Sequence, residues 1–398
     1  MHTTERYRRC SWGIHRGRRP GLGVRQLAQP RGSVMEVTAA VVRKFGAPFS
    51  MEQLVLGPPR PDEVLVRVVA TGLCHTDLNA RDGGMPIPEN IVLGHEGAGV
   101  VVEVGSAVHH VEQGDHVVLT VDSCGSCRSC RLAQPAHCED LFALNLSGGR
   151  RDGSSAFTGD VRSHFMGQSS LSTATVASGS SVIPVAKDLP LELLGPLGCA
   201  VQTGAGTVMR ALRVTPGSSV AVFGAGAVGL SAVSAAAISG ATRIIAVDRV
   251  DSRLALARQF GATDVISIED SDVTASIRDL TSGGVDYSIE CAGSTDAFRV
   301  AVDVLRSLGH CAVVGGVRPG TLASYDWRPA QGKGVTIHAV VEGDAVPSEF
   351  IPILVDLVRR GRLPLADMVT YFEFDQIEEA AGAAESGEVI KPILRMPA

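Results

Sequence analysis

The second half of the chain alternates short apolar, β-branched runs with longer segments of helical periodicity. The pattern predicts six strands, at Val220–Phe223, Arg243–Val247, Asp264–Ile268, Val285–Glu290, His310–Val314 and Val335–Val341. Between them it predicts four helices, at Leu230–Ser239, Ser252–Phe260, Val273–Leu280 and Thr295–Ser307. Strands that alternate with helices in this way are typical of an α/β protein with a doubly wound parallel sheet.

The first 34 residues do not follow any such pattern. They contain eight arginines and one acid, Glu5, and the strand-like pattern begins abruptly with MEVTAAVVRKF at Met35. We interpret residues 1–34 as a disordered or mis-assigned extension, for example translated upstream DNA, and leave them out of the fold. An Arg-rich transit peptide and a functional basic arm remain alternatives, although the segment lacks the amphipathic helix of a transit peptide.

Composition excludes several classes of protein. With 398 residues, 45% of them apolar and 20% charged, the chain can build large cores, in roughly two or three domains. A net charge of -6 argues against a nucleic-acid binder that neutralises phosphates. The weakly polar run 220–239 has the length of a membrane span, but its three glycines and many small residues argue against one. The nine cysteines cluster, which predicts metal ligands in a reducing compartment, the cytoplasm, and not disulfides.

A glycine motif opens the alternating half. Gly224, Gly226 and Gly229 form G-x-G-x-x-G between a predicted strand and a predicted helix, and Asp248 ends the next strand. In this context the glycines allow a tight turn, close approach of a pyrophosphate and close packing of helix on strand. The acid would accept the ribose hydroxyls and repel a 2′-phosphate, which predicts NAD. Arg249 follows directly and leaves NADP open.

Four cysteines lie within 15 residues of loop-type sequence, with the spacing C-x2-C-x2-C-x7-C: Cys124, Cys127, Cys130 and Cys138. Four thiolates can close a tetrahedral shell around Zn²⁺, which predicts a structural zinc. An iron–sulfur cluster is the main alternative, but ferredoxin motifs continue with x3-C-P, and here Glu139 follows the last cysteine. Plain free cysteines are the other alternative.

A second set of residues that can act as metal ligands is scattered along the chain. Cys74 lies in GLCHTD, His95 in LGHEGAGVV and Cys199 in GPLGCAVQTG. Each is unremarkable alone, because a buried cysteine is most often a small apolar residue. Together they supply two thiolates and one imidazole, which balance the charge of Zn²⁺ and leave a fourth position for water or substrate.

These motifs, together with GDHV, FGAGAVGL and the tail FDQIEEAAGAAESGEVIKPILRM, carry a resemblance from Met35 onward to the zinc-dependent medium-chain alcohol dehydrogenases. The resemblance implies a GroES-like β-rich catalytic domain at 35–200, with the structural-zinc lobe near 122–140. It also implies a Rossmann domain at 201–344, a return to the catalytic domain at 345–398, and a homodimer or homotetramer.

The resemblance also implies a role for each matching residue. Two zinc ions per chain would be bound, the catalytic one by Cys74, His95 and Cys199. Thr76 would take the alcohol proton, and Asp77 and Glu96 would support the ligands. Cofactor contacts would come from His75, Thr203, Asp248, Arg253 and Lys391, in addition to the glycine motif. Some members place a histidine three positions after the relay hydroxyl, whereas this chain has Asn79, so the proton must leave differently.

The stretch 145–157, NLSGGRRDGSSAF, is similar to the aryl-alcohol (benzyl-alcohol) dehydrogenase branch. Thr120, where relatives commonly have a larger side chain, and Met85 predict a wide, mostly apolar substrate slot. We therefore expect reversible oxidation of a primary aromatic or allylic alcohol with NAD. The alternatives are a thiol-dependent formaldehyde dehydrogenase of the same family and a catalytically inactive dinucleotide-binding protein.

Overall fold

The structure is a computed structural model that describes residues 33–269 and 272–397. The arginine-rich extension, apart from residues 33 and 34, lies outside the described residues. The strands are β1 Met35–Val42, β2 Ser50–Leu56, β3 Glu63–Gly72, β4 Ile91–Val92, β5 Glu96–Val104, β6 His116–Leu119, β7 Ala174–Ser178, β8 Val182–Val185, β9 Ser219–Phe223, β10 Arg243–Asp248, β11 Asp264–Ser267, β12 Val285–Glu290, β13 Leu305–Val313, β14 Thr336–Ala339, β15 Val369–Glu373 and β16 Lys391–Arg395. The α-helices are α1 His75–Arg81, α2 Arg128–Arg131, α3 Leu141–Asn145, α4 Ala200–Gly206, α5 Ala227–Ile238, α6 Asp251–Gln259, α7 Val273–Thr281, α8 Thr295–Asp303, α9 Trp327–Lys333, α10 Pro347–Arg359 and α11 Ile377–Ser386.

The predicted parallel sheet is confirmed. Six strands lie in the order β11-β10-β9-β12-β13-β14, and every neighbouring pair is parallel. The order reverses between β9 and β12, which is the crevice where such sheets bind nucleotides. This is the Rossmann arrangement expected from the alternation of strands and helices.

Two details of the predicted elements are wrong. The helix expected over 295–307 ends at Asp303, and β13 begins at Leu305, because apolar residues continue through both elements and the pattern alone cannot place the boundary. Leu308, inside β13, has a left-handed φ of 61°. Helix α9 was not predicted, since its short sequence WRPAQGK contains a proline and a glycine.

The remaining strands form two sheets that are mainly antiparallel. One has three strands, β2-β1-β4, and the other follows the path β15-β16-β3-β5-β6-β8, with β7 paired to β3. Strand β16, from the end of the chain, lies antiparallel to β3, with Ile393 opposite Gly72. Strand β3, which ends two residues before Cys74, is therefore paired with a strand from the C-terminal end of the described chain.

The segment 194–212 joins the two large sheets. One continuous core contains Val118 and Ile183 from the seven-stranded sheet, Leu197 and Val201 from this segment, and Val220 from the parallel sheet. Cys199 and α4 thus lie where the two sheets pack together. Within the part of the chain that the structure describes, no helix has both the length and the apolar character needed to cross a membrane.

Candidate active site

Three segments that are distant in the sequence bring side chains that can bind a metal close together. The ligand atoms of Cys74, His95, Glu96 and Cys199 all lie within 4.8 Å of one another. Cys74 is the N-cap of α1, His95 immediately precedes β5, and Cys199 precedes α4. The fold thus assembles the set that the sequence predicts, and Glu96 lies within it.

Asp77 fixes the orientation of this cluster. Its Oδ1 lies 2.9 Å from His95 Nδ1 and accepts from the Gly94 amide at 3.1 Å, while its Oδ2 accepts from the Cys74 amide at 3.0 Å. Asp77 has no exposed surface. A carboxylate at Nδ1 leaves Nε2 of the imidazole as the ligand atom.

The chemistry of these donors fits a metal ion. His95 Nε2 is buried and, among the described residues, has no hydrogen-bond partner. An orphaned buried ring nitrogen beside two thiols is costly unless a ligand satisfies it. Residues Cys74, His95 and Cys199 would hold Zn²⁺, and Cys199 together with Lys391 and His95 lowers the pKa of the Cys74 thiol, which favours the thiolate that a metal needs.

Lys391 and Glu96 form a buried ion pair beside the cluster. The Lys391 Nζ lies 2.9 Å from each Glu96 oxygen, and the two side chains are 3% and 0% exposed. Burial raises the pKa of Glu96, an effect that the Lys391 ammonium opposes. Lys391 was predicted from the resemblance to contact the cofactor pyrophosphate; in this structure its ammonium binds Glu96, and the pyrophosphate contact stays a prediction.

Thr120 does not open the space that its small size led us to expect. It is fully buried, donates to the Gly198 carbonyl at 2.7 Å and accepts from Gln202 Nε2 at 2.8 Å. The Gln202 amide also donates to Glu342 Oε2 at 2.8 Å. The surroundings of Thr120 are therefore polar and occupied by Gln202. The expectation of an apolar slot at Thr120 is wrong.

Glu342 is a charged residue near the cluster that the sequence analysis missed. Burial raises the pKa of its carboxyl to about 7, with the Gln202 hydrogen bond and His95 opposing and Cys74 and Glu96 adding to the rise. These influences show that Glu342 shares the electrostatic environment of the cluster. Its partner Gln202 is 140 positions away, so no local motif could reveal the contact.

The four-cysteine lobe is also assembled as predicted. The sulfurs of Cys124, Cys127, Cys130 and Cys138 lie within 4.8 Å of one another. Backbone amides point at them: those of Ser126 and Cys127 lie 3.4 and 3.2 Å from Cys124 Sγ. These two donors lower the pKa of Cys124 to about 6, which favours its thiolate form.

The glycine motif forms the turn between β9 and α5. Gly224 has φ 100°, a Cβ on Gly229 would lie 1.7 Å from the Gly224 carbonyl oxygen, and a Cβ on Gly226 would meet nothing within 4 Å. The first glycine thus makes the turn and the third lets the helix pack on the strand, while the second faces open space that a phosphate can approach. The residues present fit a dinucleotide.

Asp248 supports this turn. Its Oδ2 accepts from the Ala225 amide at 2.6 Å and its Oδ1 from the Val250 amide at 2.9 Å. The carboxylate therefore lies at the end of β10 beside the glycine turn. Arg253, which was predicted to flank the ribose, is partly buried and reaches the Gly387 carbonyl at 3.4 Å.

His75 and Thr76 follow Cys74 directly in the chain, and Thr203 lies four positions after Cys199. Thr76 Oγ1 lies 3.7 Å from Cys74 Sγ. His75 is exposed, and Thr203, in α4, is partly exposed. Met85 lines a cavity of about 380 Å³ together with Gly83, Gly84 and Arg318. Their roles toward substrate and cofactor stay predictions.

Comparison with known proteins shows the family to which the chain belongs. A family model described as alcohol dehydrogenase GroES-like domain matches residues 60–185, and one described as zinc-binding dehydrogenase matches residues 227–360. The chain is 41% identical to a geraniol dehydrogenase from Castellaniella defragrans, over 89% of this chain and 96% of the relative.

Two solved structures are similar over nearly the whole chain. One is an alcohol dehydrogenase zinc-binding domain protein from Burkholderia ambifaria, at 51% identity and a TM-score of 0.91, covering 92% of this chain and 100% of that one. The other is the benzyl alcohol dehydrogenase from Acinetobacter calcoaceticus, at 45% identity and a TM-score of 0.90, covering 91% and 100%.

Proposed function

Because the chain belongs to the zinc-dependent medium-chain alcohol dehydrogenase family, we propose that it oxidises a primary alcohol to the aldehyde with NAD, reversibly. The observation that carries the proposal is the buried, unpartnered Nε2 of His95 beside Cys74 and Cys199, at the junction with a dinucleotide-binding sheet. We further propose two zinc ions per chain, the second in the four-cysteine lobe.

The chain's own residues supply orientation and proton transfer. When bound, Zn²⁺ supplies a Lewis acid that lowers the pKa of the alcohol hydroxyl, and NAD supplies the hydride acceptor. Asp77 holds the His95 ring and the Cys74 amide in place. Thr76 lies next to Cys74, where its hydroxyl would accept the alcohol proton while releasing its own proton toward water. Thr203 and the glycine turn would hold the dinucleotide, which would supply the acceptor for the hydride.

The proposed substrate class is aromatic or allylic primary alcohols. Support comes from the names of two similar proteins, a geraniol dehydrogenase and a benzyl alcohol dehydrogenase. Further support comes from Met85, whose flexible thioether lines the cavity between two parts of the chain. We also propose the domain limits 35–200, 201–344 and 345–398, a dimer or tetramer, and a cytoplasmic location, as the sequence predicts.

The activity is tested directly with the purified protein. We expect NADH formation when NAD and a benzylic or allylic alcohol are added, and two zinc ions per chain by metal analysis. Iron with visible absorbance would contradict the zinc assignment. If formaldehyde were the one substrate oxidised, and if its oxidation needed a low-molecular-weight thiol, the result would instead support a formaldehyde dehydrogenase.

Replacing Asp248 with serine is expected to weaken the preference for NAD over NADP. Serine removes the charge that repels a 2′-phosphate, so the ratio of kcat/KM for NAD to that for NADP should fall at least about tenfold, or roughly 1.4 kcal/mol. Steady-state kinetics with both cofactors measure this ratio.

A matched variant separates charge from turn geometry. Asp248→Asn keeps an oxygen that can accept from the Ala225 amide but loses the charge. It should therefore lower the ratio of kcat/KM for NAD to that for NADP, as Asp248→Ser does. Its thermal midpoint should lie closer to that of the wild type than the midpoint of Asp248→Ser does. A wild-type protein that uses NADP as well as NAD would refute the role assigned to Asp248.

A further inference from the structure

The turn formed by residues 342–344 has an unusual backbone. Glu342, Gly343 and Asp344 all have left-handed φ values, of 49°, 68° and 51°. Non-glycine residues stay in this region only where their surroundings force them to, and such positions cluster at functional sites. Here the constraint is α4: a Cβ on Gly343 would lie 2.4 Å from the Gln202 carbonyl oxygen and 2.7 Å from the Gly206 Cα.

The side chain of Glu342 connects this turn to the backbone beside Cys199. Glu342 Oε2 accepts from Gln202 Nε2 at 2.8 Å, and the same nitrogen lies 2.8 Å from the Gly198 carbonyl oxygen. The Thr120 hydroxyl donates to that carbonyl at 2.7 Å. Because Gly198 directly precedes Cys199, the chain of contacts ends at the peptide that carries a proposed metal ligand.

The carboxylate determines how the Gln202 amide is turned. Gln202 is fully buried, and its Oε1 has no partner among the described residues. If the amide were flipped, Oε1 would face the ionised Glu342 carboxylate, and the two acceptors would repel each other. Without that carboxylate the flipped amide could accept from the Thr120 hydroxyl, and the Gly198 carbonyl would then lose its Thr120 donor and the nearby Gln202 nitrogen.

We propose that Glu342 is a positioning residue for alcohol oxidation. Through Gln202 it holds the Gly198–Cys199 peptide, and hence the Cys199 side chain, in the arrangement that the reaction needs. This inference rests on the function proposed above. Asp344, in the same turn, points elsewhere: its oxygens lie 2.9 Å from His137 Nε2 and from His338 Nε2.

Replacing Glu342 with glycine tests the proposal, since glycine removes the carboxylate and also accepts the left-handed backbone. We expect kcat to fall at least about tenfold with the KM for NAD unchanged. The thermal midpoint should be unchanged or higher, and metal analysis should still find zinc. Glu342→Gln should recover most of the kcat, because its amide oxygen can accept the same hydrogen bond from Gln202.

Two further variants isolate the contact. Asp344→Gly relaxes the same turn without touching Gln202, and its kcat should stay within about twofold of the wild type. If Glu342 acts through Gln202, adding Glu342→Gly to Gln202→Ala should lower kcat no further.

The outcomes separate this inference from the proposed function. An active wild type with an equally active Glu342→Gly variant would overturn the positioning role alone, as would additive effects of the two substitutions. Loss of thermal stability in Glu342→Gly, in proportion to its loss of activity, would also overturn it, because the role would then be structural. A wild type that oxidises no alcohol would refute the proposed function instead.

Discussion

Replacing Cys74 with serine is expected to lower kcat for alcohol oxidation at least about a thousandfold, or roughly 4 kcal/mol. It should also remove about one of the two proposed zinc ions per chain. A serine hydroxyl is a much poorer ligand than a thiolate, so the metal that activates the alcohol would be lost. The fold should survive, because the Asp77 contacts to the Cys74 amide and to His95 do not involve the thiol.

Cys127→Ser is the matched comparison. It lies in the four-cysteine lobe, whose ligand sulfurs accept hydrogen bonds from the lobe's own backbone, so losing that metal should mainly lower the thermal midpoint. The test compares kcat, zinc content per chain and the thermal midpoint of the two variants. Equal effects of the two substitutions on kcat and on stability would show that the division into a catalytic and a structural metal is wrong.

Benzyl or cinnamyl alcohol is expected to exceed ethanol in kcat/KM by at least about a hundredfold, near 2.7 kcal/mol. Burial of the larger apolar group drives the difference, at roughly 25 cal/mol per Å² of apolar surface. The surroundings of Thr120 are polar and occupied by Gln202, so we expect the larger group to be buried near Met85, which lines a cavity.

A panel of aromatic, allylic and short aliphatic alcohols with saturating NAD measures this preference. Met85→Ala should reduce the advantage of the aromatic alcohols, since it removes apolar surface from the cavity wall. Met85→Leu is its control, because it keeps a similar apolar volume. Comparable kcat/KM for ethanol and benzyl alcohol would defeat the proposed substrate class and leave the family assignment intact.

The sequence predicts best those features whose residues are close together or periodic. The four cysteines of the lobe lie within 15 residues, and the glycine motif lies between a short apolar strand and a helix of small residues. The family resemblance supplied Cys74, His95 and Cys199 as a set, although nothing in their spacing shows that they meet.

The contacts that the sequence did not reveal depend on long-range packing. Glu342 takes a left-handed backbone conformation that its residue type disfavours, in a turn whose Gly343 packs closely against α4. The sequence predicts open space beside the small Thr120, but its hydroxyl accepts a hydrogen bond from the Gln202 amide. The end of α8 was misplaced because β13 continues the same apolar pattern.

The buried pair of Glu96 and Lys391 has a consequence for the order in which the protein is assembled during translation. The two residues are 295 positions apart, and Lys391 belongs to the strand that pairs with β3. While the ribosome is still making the middle of the chain, Glu96 has no cation partner, although all four cysteines of the lobe have already been synthesised. All four residues of the cluster are therefore made by the middle of the chain, whereas the ion pair that compensates the charge of Glu96 forms only when synthesis is nearly finished.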